Sequence, residues 1–163
     1  MFMNETDFLL TPLEDKRSFL KGPIGPPSPL DNRNPGFFIE FLNNLEGWKT
    51  KCKNLHWSAP KKNIHVYLDE FLAILQIYQD SLAEGYMGIL GKMPPNAIKG
   101  TQCEALNAMD FITDIISKTL MFYDNIPSDT AYKGIASECE TFIQDIFKYK
   151  YLFGLCNWKS DAY

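Results

Sequence analysis

From residue 36 onward, apolar side chains recur at intervals of three and four, the spacing that lines one face of a helix. Phe38, Phe41, Leu42, Leu45, Trp48, Cys52 and Leu55 form a first stripe, which opens at Asn34-Pro35 (an N-cap followed by proline) and ends near Trp57, before Pro60. A second stripe runs from about Asn63 to Leu90 through Leu68, Phe71, Leu72, Leu75, Tyr78, Leu82, Tyr86 and Ile89, and stops at Gly91 and Pro94-Pro95. Thr101 and Glu104 have the spacing of a capping box, which predicts a third helix with Leu106, Met109, Ile112, Ile116, Leu120 and Tyr123 inward. Pro127-Ser128-Asp129 breaks the pattern, with Ser128 as the next cap. A fourth helix to about Cys156 then turns Ile135, Cys139, Phe142, Ile146, Tyr149 and Phe153 inward. Breaks of about five to ten residues favour antiparallel neighbours. The expected fold is an all-α antiparallel four-helix bundle over residues 36–157.

The pattern fails at both ends. Residues 1–35 differ from the rest: the stretch GPIGPPSPLDNRNPG, residues 22–36, packs five prolines and three glycines into fifteen residues, which excludes a helix or a central strand there. An extended arm is predicted, with net charge −1 from five acidic and four basic residues. Its Phe2, Phe8, Leu9, Leu10, Leu13, Phe19 and Leu20 suit docking on a neighbouring subunit or partner protein. Residues 158–163 read as a tail.

Composition narrows the function classes. A net charge of −4 argues against a dedicated nucleic-acid binder, and DNA binding is not expected. The run Lys49, Lys51, Lys53, Lys61, Lys62 reads as a solvated face. Cys52, Cys103, Cys139 and Cys156 form no Cys-x-x-Cys pair and read as small buried apolar groups. No apolar run reaches the ~18–20 residues of a membrane span, so no membrane is expected. The N-terminus lacks a signal-peptide pattern, which gives a cytoplasmic expectation.

The chemistry concentrates on the second helix. The chain has two histidines, His56 and His65, and the second lies one turn before Asp69. Asp80 and Glu84 repeat the same four-residue step. With a helical turn of about 100° per residue, Asp69 lies at about 40°, Asp80 at about 60° and Glu84 at about 100° from His65, so all four share a face. Histidine and carboxylates in that arrangement suit a redox metal in a bundle. The eleven-residue step from Asp69 to Asp80 spans about 16 Å, whereas metal–ligand bonds are about 2.0–2.2 Å, so the two pairs cannot share an ion within one chain. If they cooperate, a second copy of helix 63–90 runs antiparallel across a two-fold axis, giving two equivalent sites. Trp57 reads as a packing residue at the end of the first helix.

The segment His56-Trp57, then His65-Val-Tyr-Leu-Asp69, then Asp80-Ser-Leu-Ala-Glu84, resembles the Dps family of mini-ferritins. Leu90-Gly91 with a proline-containing loop is similar to the end of that family's second helix. The resemblance covers residues 34–156 in architecture and is specific over 55–95. It implies a ferritin-like bundle, a homo-oligomer, and ferrous iron bound by His56, His65 and Asp69 of one subunit with Asp80 and Glu84 of another. It also implies a possible ferroxidase using peroxide or oxygen, with storage in a hollow shell. Three features depart from the family. The loop between the histidines is about three residues shorter and lacks the family's glycine, Gly85 replaces the usual arginine, and the arm is not basic. The alternatives are zinc or no metal at these positions, a structural or assembly protein such as a virion component with a vestigial site, and a helical binding module without metal.

Overall fold

The computed structural model describes residues 35–156. The arm up to residue 34, with Asn34 as a cap, and the tail 158–163 lie outside the described residues. Within them the chain forms α1 (Gly36–Trp57), α2 (Lys62–Leu90), α3 (Ala108–Asn125), a 3₁₀ turn (Thr130–Tyr132) and α4 (Lys133–Gly154). No helix of the described residues is long and apolar enough to cross a membrane.

The first and last stripes are the observed ones. All seven residues expected inward on α1 and all six on α4 are buried. On α2, Ile64 and Gln79 join the buried set, while Leu72 and Ile89 are half-buried. Gly91 closes α2 at φ +86°, a left-handed conformation that glycine adopts without a Cβ clash.

The third helix differs. It starts at Ala108, not after Thr101, because Asn107 is the cap: its side chain accepts from Met109 N and Asp110 N, and its Nδ2 donates to the Asp110 carboxylate at 2.8 Å. Thr101 sits in extended chain, and its N–H is used by the Asn43 carbonyl at 2.8 Å. The inward stripe is Ala108, Phe111, Ile112, Ile115, Thr119 and Phe122, so only Ile112 of the expected six is fully buried. The stripe is displaced by one residue, about 100° of rotation. Phe111 and Phe122 bring more apolar area to the core than Met109 and Leu120, which stay exposed. Before the 3₁₀ turn, Asp129 and not Ser128 is the cap, accepting from Ala131 N.

Contacts between helices fix their directions. Along α1, Phe38 meets Tyr86, Leu42 meets Gln79 and Cys52 meets Leu68, so α1 and α2 are antiparallel. Phe41 stacks on Phe122 and Trp48 donates to Asp114, so α1 and α3 are antiparallel too. Tyr78–Phe142 and Tyr149–Glu70 set α2 against α4, and Tyr123–Glu140 sets α3 against α4. The helices therefore stand in the cyclic order α1, α2, α4, α3, each antiparallel to both packed neighbours. It follows that α2 and α3 are diagonal and parallel. The segment joining them, 91–107, has to return along the bundle, and is longer than the short connection expected.

That segment is seated on α1. Asn43 Oδ1 accepts from Lys99 N at 2.7 Å and Gly100 N at 3.0 Å, and its Nδ2 donates to Ala97 O at 3.0 Å. One turn on, Gly47 lies so close that an added Cβ would sit 1.7 Å from Thr101 O. We expect Gly47→Ala to destabilise the fold by about 1–3 kcal/mol through this overlap, although alanine is the better helix former. An unchanged denaturation midpoint would show that the segment is not seated there.

Candidate metal centre

The core side of α2 fixes which face looks outward. Ile64, Leu68, Phe71, Leu75, Tyr78, Leu82 and Tyr86 are buried along its length, and the helix is unbroken over 29 residues. On the opposite side His65, Asp69, Asp80 and Glu84 are all exposed, and His56 is half-buried at the end of α1. Because α2 is continuous, its two pairs stay about 16 Å apart. Among the described residues no group of three or more His, Cys, Asp or Glu converges within the chain.

The two histidines are brought together by the short 58–61 turn. Their ring centroids are 3.7 Å apart and the planes differ by 27°. His56 Nδ1 lies 3.0 Å from His65 O, and His65 Nδ1 lies 2.9 Å from His56 O. A carbonyl only accepts, so both Nδ1 atoms are the donors, and in the neutral ring the lone pair is on Nε2. The clasp also supplies a donor to a carbonyl in the last turn of α1, where helical partners run out. Trp57, beside it, is 74% exposed and does not pack at the helix end as expected.

Stacking limits what this pair can hold. With ring centroids 3.7 Å apart and planes tilted by 27°, the planes of the stacked rings meet about 7 Å from the ring centres, whereas an ion bound at about 2.1 Å from a ring nitrogen lies about 3 Å from its ring centre. In-plane lone pairs therefore cannot converge on one ion while the rings stay stacked.

Comparison with family models, with curated proteins and with solved structures returns no match.

The carboxylates differ in their surroundings. Asp80 is held by Gln76, whose Nε2 lies 3.1 and 3.0 Å from its two oxygens. Gln76 Oε1 in turn accepts from Lys49 Nζ at 2.9 Å, and Lys49 pairs with Glu46 at 2.7 Å. The Lys49 ammonium beside Glu46 holds that carboxyl below its ordinary range, with burial opposing. A depression of about 410 Å³ between α1 and α2 is lined by Glu46, Lys49, Lys53, Asp69, Ala73 and Gln76. Sequence reasoning missed Gln76, although its four-residue step to Asp80 was readable as a helical pair. It missed Lys49 as well, because that residue reaches Gln76 from another helix.

The buried thiols carry no comparable chemistry. Burial pushes Cys52 up to about 12 and Cys139 up to about 11, so neither offers a thiolate near neutrality.

The clasp makes a spectroscopic prediction. Nitrogen–proton correlation spectra of the metal-free protein should show both neutral imidazoles protonated on Nδ1. An Nε2-protonated tautomer at either residue would contradict the reciprocal hydrogen bonds.

Proposed function

We propose that this chain is a ferritin-like subunit of the Dps type that binds and oxidises ferrous iron between two copies of α2. The observation that carries the reading is the outer face of α2, which presents His65, Asp69, Asp80 and Glu84 together and is covered by no other described residue. Between and beside these residues the same face exposes Val66, Ala73 and Met87. A polar face studded with uncovered apolar groups suits a partner helix. A two-fold axis midway between residues 74 and 75 sets His65 and Asp69 against Asp80 and Glu84 of the other copy. Ala73, near that axis, leaves room for close approach. The single long crossover gives the connectivity of the ferritin-like folds, which adds support.

The donor set fits iron as substrate. Carboxylates from Asp69, Asp80 and Glu84 favour the ferric product, and neutral His65 retains affinity for the ferrous ion. His56 and His65, unable to share one ion while stacked, suit two neighbouring ions. Two ferrous ions supply the two electrons that reduce one peroxide, with two protons, to two waters. Gln76 and Lys49 orient Asp80 through its hydrogen bonds, as outer partners of metal ligands do. On this reading assembly is a condition of activity, because one chain holds only half of each site.

A second reading, a structural or assembly protein with a vestigial site, is favoured by one observation. The histidines and Asp80 already have hydrogen-bond partners within the chain.

Mixing purified protein with ferrous iron and hydrogen peroxide should give a ferric absorbance rise. Asp80→Ala with Glu84→Ala should abolish it while helical circular dichroism is kept. An unchanged rate in that variant would defeat the assignment, and zinc should compete for the site if the ligands are those named.

A further inference from the structure

A different flank of the bundle carries a second surface. Between α2 and α4 lies a groove of about 280 Å³ with Ile74, Ile77, Tyr78 and Phe142 in its wall and Glu138 and Asp145 on its α4 side. Ile77 is 69% exposed. Farther along, Phe147 and Tyr151 of α4 and Leu155, the residue that caps it in helical conformation, recur every fourth residue and so share an outward face. Tyr151 is 66% and Leu155 64% exposed. Lys148 and Lys150 flank this stripe, their ammonium groups 5.6 and 5.8 Å from the Tyr149 and Phe147 ring centres.

The two surfaces are complementary. One is an apolar groove with a carboxylate edge, and the other an apolar stripe with an ammonium edge. Both belong to every copy of the chain, at different places. We propose that the α4 stripe of one copy docks in the α2–α4 groove of the next, with Lys148 and Lys150 against Glu138 and Asp145. The occupant is a second copy because the chain itself supplies both the apolar match and the opposite charge. Such a contact joins unlike surfaces, so it repeats head to tail and closes a ring or extends a filament. It differs from the two-fold contact through the outer face of α2, although Ile77, about 20° from Glu84 around the helix, borders that face too. The two together build assemblies larger than a dimer.

The test is charge reversal read by native mass spectrometry and sedimentation of the full chain. The unaltered protein should form species above the dimer that weaken as salt rises. Lys148→Glu with Lys150→Glu should remove them, and so should Glu138→Lys with Asp145→Lys. Mixing these two variants should restore them, since each then meets an opposite edge. The two charge-reversed variants alter opposite sides of the contact, so misfolding of one variant does not decide the outcome. If the α2 contact exists, the reversed variants stop at a dimer; if it does not, they are monomers, and either supports the α4 contact. An unaltered protein no larger than a dimer, reversed variants of unchanged mass, or no recovery on mixing would overturn it.

Discussion

The seat of the 91–107 segment on α1 is the constraint from which the rest of the arrangement follows. Diagonal helices that run parallel need a connection as long as the bundle, and such a connection leaves many backbone groups to satisfy. Asn43 answers this at one point, with its amide and its own carbonyl engaging four successive or near-successive residues of the segment. Each bond contributes about 0.5–1.5 kcal/mol net, and an unmet backbone group costs more. Gly47 then removes the side chain that would hold the two backbones apart. With the segment lying against α1, no other described residue covers the outer face of α2.

That openness matters because α2 is divided by angle into three uses. One side is apolar and buried, and fixes the rotation of the helix. The side away from it carries the ligand-type residues. The flank toward α4 contributes Ile74 and Ile77 to the groove. A rotation of α2 by one residue, about 100°, would send Asp69 or Asp80 toward a neighbouring helix. The large buried rings of Phe71, Tyr78 and Tyr86 hold the ligand face in place from behind.

How much of this was legible depended on whether the signal was local. The stripes of α1 and α4 could be read residue by residue, since each has one strongly apolar face. On α3 two faces compete: Met109, Ile116 and Leu120 on one, Phe111, Ile115 and Phe122 on the other. The capping-box pattern at Thr101 and Glu104 chose the wrong phase. The pattern that does cap the helix, Asn107 with Asp110, has the same three-residue step in a shorter-chain form. The crossover was not legible at all, because it rests on Asn43 and Gly47, more than fifty residues from the chain they hold. On α2 the shared face followed from spacing alone, while the support of Asp80 by Lys49 through Gln76 needed the packing of α1 on α2.

The histidine clasp ties the shortened loop to the chemistry. A turn of only four residues between α1 and α2 leaves the rings little choice but to lie face to face, each bonded to the other's backbone. This fixes the tautomer of both rings and leaves each Nε2 as the available ligand atom. It also denies them a common ion, since their planes meet well beyond bonding distance. A site built from this pair is therefore either a pair of adjacent ions, one per ring, or a single ion reached only after the clasp opens. Opening costs two hydrogen bonds and the stacking contact, whereas two adjacent ions leave both intact. The carboxylates are consistent with the first of these, because the proposed two-fold register would set three of them beside the histidines at each end of the contact, enough negative charge to hold two cations close together.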